Sequence, residues 1–279
     1  MSSRYPIEIQ HINKTERSQK QDLLAVEEPL EIQMRWQKNG ETNQKSISIT
    51  MRTPGNDEDL ALGFLLTEGI IQRMDQIASV GRPAFPVTTE ENRILVELVS
   101  DVEMDISKLE RHFYTSSSCG VCGKSSIDAI YATGIQPLNP TQFLVNDQLI
   151  HQLPEKLRQQ QSVFEDTGGL HAAALFDNKG KLQLLREDVG RHNAVDKLIG
   201  AALQNDKLPL SDSLILVSGR ASFELIQKAL MAGIPILAAV GAPSSLAVQL
   251  AEKSGMTVLG FVRSGRYNIY CHPQRVLNL

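Results

Sequence analysis

The alternation of apolar and polar positions becomes regular only after an irregular N-terminal stretch. Residues 1–27 are polar and show no clear period, which predicts a loosely ordered arm. Between Gln44 and Arg52, the apolar residues Ile47, Ile49 and Met51 alternate with hydroxyl-bearing residues. A period of two predicts a β-strand, and we expect those three apolar side chains to share its buried face.

A helix and another strand are predicted next along the chain. Asn56 is followed by three acidic residues, a pattern typical of the first turn of a helix, and Phe64 and Ile70 belong to an apolar stripe at helical spacing. The apolar run 94–99 predicts a second strand. Residues 28–113 are therefore expected to form a small α+β domain.

The pattern changes after a glycine-rich loop at 114–126, which contains two cysteines. Strands are predicted at 170–176, 181–185, 213–218, 235–240 and 257–262, and helices at 125–132, 147–161, 193–203, 223–232 and 244–253. Strands and helices that alternate in this way indicate an α/β sheet covered by helices. Residues 127–279 are assigned to this larger α/β domain.

Composition narrows the class of protein. The 279 residues are 42% hydrophobic and 22% charged, as in ordinary globular proteins, and the net charge of −4 argues against a broad nucleic-acid-binding surface. A local basic pocket remains compatible with that charge. The N-terminus is polar and the most apolar stretch, 234–248, contains prolines and a glycine, so we expect neither a secretory signal nor a membrane span. A cytoplasmic location is the resulting expectation.

Cysteine chemistry is the leading functional candidate. The chain has three cysteines, and Cys119 and Cys122 lie two residues apart among serines and glycines, with Lys124 and a predicted helix start at Ser125 beside them. A cation and the positive end of a helix both favour thiolate, which is the nucleophilic form of cysteine. The loop therefore predicts a reactive sulfur site.

Three metal or redox sites are alternatives to this interpretation. A structural zinc site needs two more ligands, and no second close pair of cysteine or histidine exists. A thioredoxin-like site is disfavoured because no clear strand precedes the loop. A zinc deaminase needs a His-x-Glu motif, whereas His171 is followed by two alanines and the cysteine pair comes before it. We therefore predict no metal site, although a small zinc-binding protein remains an alternative.

Basic residues also follow several predicted strands. Arg191, Arg220, Arg263 and Arg266 lie in glycine-bearing segments where a strand is predicted to end. Ligands of open α/β sheets gather at the carboxyl ends of the strands, so these segments predict one pocket for a phosphate-rich ligand. None of them matches a P-loop or a dinucleotide fingerprint. Any one of these segments, taken alone, is more simply explained as an ordinary solvated turn.

Several of these segments occur together in one known family. They are Cys119-Gly120-Val121-Cys122-Gly123, Glu187-Asp188-Val189-Gly190-Arg191-His192, Ser218-Gly219-Arg220-Ala221-Ser222 and Gly260-Phe261 through Gly265-Arg266. With them the chain resembles the formate dehydrogenase accessory sulfurtransferase family, FdhD, over nearly its whole length after about residue 25. The segment after Phe261 departs from some members in the order of its basic residue.

The resemblance implies a fold, an activity and site residues. The fold expected is α/β, with a cytidine-deaminase-like α/β/α sandwich as the C-terminal domain and a smaller α+β N-terminal domain. The implied enzyme is a sulfurtransferase that takes persulfide sulfur from a cysteine desulfurase on Cys119. It passes this sulfur to the molybdenum cofactor, Mo-bis(molybdopterin guanine dinucleotide), bound as cargo before insertion into apo formate dehydrogenase. The implied cofactor-binding residues are Phe261, Val262, Arg263, Ser264, Gly265 and Arg266.

Two questions stay open at the level of sequence. Cys122 is either a resolving thiol, a second sulfur carrier or neither. A protein of another class, a non-catalytic chaperone that holds the cofactor for formate dehydrogenase, would also carry these motifs. Neither a nucleic acid nor a membrane is expected as a partner, and a homodimer is one assembly compatible with the sequence.

Overall fold

The structure is a computed structural model that describes residues 2–83, 92–100, 102, 137–139 and 141–278. It begins with an antiparallel hairpin, β1 (Arg4–Asn13) and β2 (Glu16–Ala25). The prediction of a loosely ordered arm was therefore wrong for this segment. The cause is that most hairpin side chains are exposed, so no buried face imposes an alternating pattern on the sequence.

The next strands form a four-stranded sheet. They are β3 (Glu28–Lys38), β4 (Glu41–Arg52), β5 (Ile77–Gly81) and β6 (Arg93–Leu98), in the order β4-β3-β6-β5. The predicted strands at 44–52 and 94–99 are confirmed, with ends that differ by at most three residues.

The predicted buried face of β4 was wrong in two of three positions. Ile47 is 4% exposed, but Ile49 and Met51 are 69% and 47% exposed. The register against β3 shifts between Ile32 and Gln33, leaving Ile47 as an extra residue in a β-bulge. One extra residue reverses which side chains face inward beyond it.

Helix α1 (Asp57–Thr67) packs on a helix from the C-terminal half, α4 (Arg191–Gln204). Two glycines let the backbones touch. A Cβ on Gly63 would lie 1.8 Å from the Asp196 carbonyl oxygen, and one on Gly200 would lie 1.9 Å from the Asp59 carbonyl oxygen. No side chain fits at either position, so the glycines set the distance between the helices.

The C-terminal half contains a six-stranded sheet. Its strands are β8 (His171–Phe176), β9 (Leu182–Asp188), β10 (Leu214–Val217), β11 (Ile236–Ala239), β12 (Thr257–Arg263) and β13 (Arg266–Cys271), in the order β13-β12-β11-β10-β8-β9. Strands β10, β11 and β12 are parallel, while β8 and β13 run antiparallel to their neighbours. All five strands predicted in this half are confirmed, as is an α/β sheet.

Helices cover both faces of this sheet. One face carries α4, α5 (Phe223–Met231) and α6 (Ser245–Ser254), and the other carries α2 (Asp147–Arg158) with the short strands β7 (Val145–Asn146) and β14 (Val276–Leu277). A six-residue helix, α3 (Ser162–Thr167), precedes β8. Alternate strand residues enter the two apolar clusters, as expected for a sheet buried on both faces. The layering is α/β/α, and its likeness to cytidine deaminases stays a prediction.

The N-terminal sheet and the α/β half share one apolar core. Leu30 and Ile32 of β3 belong to the same buried cluster as Leu198 of α4 and Ile215 of β10. The predicted domain limits at 27, 113 and 126 stay predictions, and the last two lie among residues 103–136, outside the described part. In that described part, no helix is long and apolar enough to cross a membrane.

Candidate functional site

The candidate site lies along one edge of the six-stranded sheet. The chain leaves β9, β10, β11 and β12 at this edge and enters β8 and β13 there, because the latter two run the opposite way. Segments 188–192, 218–222 and 260–266 are thus brought to the same edge, as their positions after predicted strands required. Such an edge is where open α/β sheets bind ligands.

Backbone hydrogen bonds tie the three central loops together. Gly241 N donates to Gly219 O at 2.9 Å, and Phe261 N donates to Gly241 O at 3.0 Å. Gly241 has no room for a side chain, since a Cβ there would lie 2.9 Å from Cγ and 3.0 Å from Cα of Arg220. The ends of β10, β11 and β12 therefore form one continuous rim that holds Arg220 against the β11 exit.

The turn between β12 and β13 is irregular. The register shifts between Gly260 and Arg263, and Phe261 adopts a left-handed backbone, with φ of 54°, and is 44% exposed. An exposed aromatic ring on a strained residue beside a bulge is typical of a binding site. Val262 instead points into the core and is fully buried, so only its backbone is available to a ligand.

Two arginines face each other across this turn. Arg263 and Arg266 are directly paired partners of the antiparallel ladder, with Ser264 and Gly265 between them, and Gly265 has a φ of 82°. Like charges at opposed positions repel, so an anion between them would stabilise the turn. Arg263 Nη1 also donates to Val240 O at 2.6 Å and Val262 O at 2.9 Å, which fixes its side chain over the β11 exit.

Several arginines along this edge have no ion-pair partner in the described part of the chain. Among the described residues, Arg191, Arg220, Arg263 and Arg266 form no ion pair with a carboxylate, whereas Arg186 pairs with a carboxylate at 2.8 Å. Four uncompensated arginines along one edge of a chain with a net charge of −4 create a local positive potential. This edge therefore suits an anionic ligand.

A second group of side chains surrounds Gly219. A Cβ on Gly219 would lie 3.5 Å from Cε1 and Nδ1 of His171 and 3.7 Å from Cδ of Arg191. Ser218 Oγ accepts a hydrogen bond from Ala172 N at 2.9 Å and lies 3.5 Å from His171 Nδ1. Burial, followed by the charge of Arg191, lowers the pKa of His171. The imidazole is therefore neutral near pH 7.

The start of α4, which presents Arg191, is anchored by Asp188. This fully buried carboxylate accepts hydrogen bonds from Gly190 N at 2.8 Å, Asn193 Nδ2 at 3.0 Å and Thr53 N at 3.2 Å, and it pairs with Lys197 at 2.7 Å. A carboxylate that is buried away from water requires hydrogen bonds and a counter-charge such as these. Asp188 thus fixes the turn that leads into Arg191 and joins it to the N-terminal sheet.

A second buried ion pair joins Asp196 of α4 to Lys228 of α5. Lys228 Nζ donates to both oxygens of Asp196 at 2.9 Å and to Thr67 Oγ1 at 2.9 Å. Burial alone lowers the pKa of Lys228, but the charges of Asp196 and Glu68 and their hydrogen bonds together outweigh it, and the pKa is raised. Burial, and after it the positive charge of Lys228, lower the pKa of the nearby His192 to about 4. These groups brace the core beneath the edge.

The cysteines divide into two classes. Cys119 and Cys122, with the predicted helix 125–132, lie outside the described residues. Cys271 is 5% exposed and its Sγ donates to Met256 O at 3.2 Å. Burial raises the pKa of Cys271 to about 11, so it is a protonated, poorly accessible thiol. In the described part of the chain, no group of three or more His, Cys, Asp or Glu side chains is arranged to hold a metal ion.

Sequence reasoning missed two parts of this edge. It considered His171 only while testing a deaminase motif, and it did not single out the β11 exit at Val240 and Gly241. The glycine and proline that follow the predicted strand 235–240 were the available indication of the exit loop. His171 lies next to Gly219 because their strands are neighbours in the sheet. No local sequence pattern indicates that proximity.

Comparisons with known proteins point to one family. The FdhD/NarQ family profile matches residues 25–277. A protein named sulfur carrier protein FdhD from Streptomyces coelicolor is 50% identical over 263 residues, covering 93% of this chain and 90% of that protein. Proteins of the same name from Mycobacterium tuberculosis and Sulfolobus acidocaldarius are 45% and 40% identical, with at least 96% of both chains covered.

A solved structure agrees with the fold. The crystal structure of a protein assigned as a formate dehydrogenase accessory protein from Desulfotalea psychrophila matches with a TM-score of 0.73 and 24% identity. The match covers 99% of this chain and 100% of that one. At this identity the likeness concerns the fold alone. The profile match over most of the chain, together with relatives at 40–50% identity, shows that the chain is a member of the FdhD/NarQ family.

Proposed function

We propose that this protein is a sulfurtransferase that supplies sulfur to the molybdenum cofactor of formate dehydrogenase. It accepts sulfur from a cysteine desulfurase and delivers it to Mo-bis(molybdopterin guanine dinucleotide), its cargo, before that cofactor enters the apo-enzyme. The observation that carries the proposal is the uncompensated positive edge in a member of a family whose relatives are named sulfur carriers.

Cys119 is the proposed sulfur-bearing residue. Its thiolate attacks the terminal sulfur of the donor persulfide, a new S–S bond forms on Cys119, and the donor cysteine leaves as a thiolate. No net oxidation occurs, because one S–S bond replaces another. The burial and high pKa of Cys271 support placing this chemistry in the 119–123 loop, since a buried neutral thiol is a poor nucleophile.

Release of the sulfur has two balanced routes. In one, Cys122 attacks the sulfur of Cys119, a Cys119–Cys122 disulfide forms and hydrosulfide leaves, and a cellular thiol must then reduce the disulfide. In the other, the cofactor takes the terminal sulfur directly as zero-valent sulfur and itself supplies the two electrons that reduce it to sulfide, while the S–S bond breaks and Cys119 leaves as thiolate. A disulfide found by mass spectrometry after each turnover supports the first route.

The positive edge is the proposed cofactor site. Phosphate oxygens of the guanine dinucleotide would bind Arg263 and Arg266, which oppose each other and have no carboxylate partner among the described residues. The exposed ring of Phe261 offers a flat apolar surface for a ring system of the ligand. Val262 is expected to contribute backbone only, and Ser264 and Gly265 to form the turn that lets a ligand approach.

The sulfur step is tested by intact-mass measurement after incubation with a cysteine desulfurase and cysteine. Wild type should gain about 32 Da that dithiothreitol removes, the mass of one sulfur atom, and peptide mapping should place it on Cys119. Cys271→Ser is the matched control and should gain the same mass. A label confined to Cys271 would sink the assignment.

The alternative function is a non-catalytic cofactor chaperone. Cells that lack this protein should contain inactive formate dehydrogenase, and Cys119→Ala should fail to restore activity because alanine carries no sulfur. Full restoration by the Cys119→Ala, Cys122→Ala double variant would favour the chaperone.

The cofactor site is tested with guanosine diphosphate as a stand-in for part of the dinucleotide. Calorimetry should show binding that weakens with added salt, since exposed phosphate contacts are screened. Arg266→Ala should weaken it by about 1.5–3 kcal/mol, the scale of a charged hydrogen bond, with persulfide formation on Cys119 unchanged. Equal affinities would place the nucleotide elsewhere.

A further inference from the structure

Gly219 lies on the same edge as the Arg263–Arg266 turn, with the end of β11 between them. Gly219 follows β10, and His171 begins β8, the next strand in the sheet. The point where a Gly219 side chain would begin lies 3.5 Å from the His171 ring and 3.7 Å from Cδ of Arg191, so the glycine leaves the space between them unfilled. The strand order thus brings a histidine and an arginine together from positions twenty residues apart in the chain.

Arg191 lacks a hydrogen-bond acceptor in the described part of the structure. Its Nε is buried and has no hydrogen-bond partner among the described residues, and no described carboxylate forms an ion pair with its guanidinium. A buried donor of a charged group that lacks an acceptor is unfavourable, so native proteins rarely leave one without a reason. An acceptor supplied by a ligand is such a reason.

His171 adds a directed donor. Ser218 Oγ already accepts from Ala172 N, so its own hydrogen is available to His171 Nδ1, although the 3.5 Å separation makes this bond long. That arrangement favours the tautomer with the proton on Nε2. No described residue bonds Nε2, so the ring keeps an N–H donor there, and the charge of Arg191 acts on the same imidazole.

From this geometry we propose that His171 and Arg191 form an oxyanion subsite over Gly219, which holds one phosphate of the guanine nucleotide. The inference rests on the proposed function, because it assumes that a nucleotide-bearing cargo binds this edge. It deepens that function by giving the ligand a second phosphate contact, separated from Arg263 and Arg266 by the ends of β10 and β11. Both side chains are binding residues in this proposal and take no part in sulfur transfer.

The test measures guanosine diphosphate affinity by calorimetry in wild type and in variants of the two binding residues. Arg191→Gln and His171→Leu should each weaken binding about 10-fold or more, the equivalent of at least ~1.4 kcal/mol for a hydrogen bond to a charged group. Arg191→Lys should lose less than Arg191→Gln because it keeps the charge, and His171→Gln should retain most of the affinity because its amide keeps an N–H donor.

Two controls separate binding from folding and from net charge. Arg158→Gln removes one positive charge from the exposed end of α2 and should leave the affinity unchanged. Arg191→Gln should also flatten the salt dependence of binding, a readout that a purely structural role would not change. Thermal midpoints within about two degrees of wild type show that the variants are folded.

The outcomes distinguish this inference from the proposed function. If wild type binds no guanosine diphosphate, the nucleotide site itself is wrong. If wild type binds and Arg266→Ala weakens binding while Arg191→Gln and His171→Leu match wild type, the subsite is refuted and the proposed function stands. Equal losses for His171→Gln and His171→Leu would likewise overturn the donor role of His171.

Discussion

The contact between α1 and α4 predicts how Gly200→Ala changes the stability of the protein, through two effects that oppose each other. Gly200→Ala adds one methyl group to a helix interior, where alanine is normally favoured over glycine by about 1 kcal/mol. The methyl carbon would, however, lie 1.9 Å from the Asp59 carbonyl oxygen, 2.7 Å from its carbon and 2.8 Å from Gly63 N. All three are backbone atoms of α1, so no side chain can rotate away.

The clash should outweigh the gain in helix propensity. An ordinary contact needs about 3.4 Å or more, so the helices must separate locally by roughly 1.5 Å, and a gap of even 0.5–1 Å loses a quarter to half of each contact energy along the seam. Overpacking of this kind costs about 1–3 kcal/mol and occasionally more. Since backbone meets backbone, we take the upper end and expect a net loss of about 2 kcal/mol.

Urea unfolding followed by the fluorescence of Trp36, the single tryptophan of the chain, measures this change. Gly200→Ala should lower the midpoint with little change in slope. Gly81→Ala is the matched control, since nothing lies within 4 Å of its added methyl group and its φ needs no glycine. It should be neutral or slightly stabilising.

A double variant sharpens the test. Gly63→Ala alone should also destabilise, because its methyl group would lie 1.8 Å from the Asp196 carbonyl oxygen. Once one methyl group has separated the helices, the second fits more easily, so the double variant should lose less than the sum. A Gly200→Ala protein as stable as wild type would refute the reasoning, because it would show that α1 and α4 slide apart freely.

Three further predictions concern charge and thiol chemistry. Burial depresses the pKa of His192 from 6.5 to about 4, so the unfolded state binds a proton that the folded state excludes between those values, and stability should fall as pH drops through that window. The loss should reach about 3 kcal/mol, since each pKa unit is worth about 1.4 kcal/mol, and His192→Gln should abolish that part of the pH dependence in urea titrations. Asp188→Ala should lower the free energy of unfolding by about 3–5 kcal/mol, because it leaves Lys197 buried without its partner; calorimetric melting would measure this, and a loss below 1 kcal/mol would contradict it. Iodoacetamide at pH 8 should alkylate Cys271 of the folded protein far more slowly than after unfolding in urea, since its pKa is raised to about 11 and it is buried; equal rates would contradict that placement.

Much of the α/β half was predictable from the sequence because its pattern is local. The apolar runs of β8, β10, β11 and β12, each bounded by glycine, proline or charge, predict strands buried on both faces. The helices between them carry their own apolar stripes and start residues. The same local pattern placed basic residues after three of the strands, which was enough to predict a common edge.

The N-terminal part shows where local pattern fails. The hairpin β1–β2 buries little, so its strands lack the alternation that reveals a half-buried sheet. In β4, one bulge residue reversed the facing of Ile49 and Met51, and a bulge depends on the pairing with β3 rather than on β4 itself. Strand pairing is a property of two distant segments, and neither sequence alone encodes it.

The sequence by itself determined the cysteine loop, the alternating elements of the sheet and the arginines that follow its strands. Each of these features is a pattern formed by residues close together in the chain. Only the tertiary structure decided which of those residues meet. It set His171 and Arg191 on either side of Gly219, opposed Arg263 to Arg266, and buried Val262 and Cys271. The physical reason is that burial and pairing follow from strand order and helix contact, which join residues far apart in the chain, whereas periodicity reports only on near neighbours.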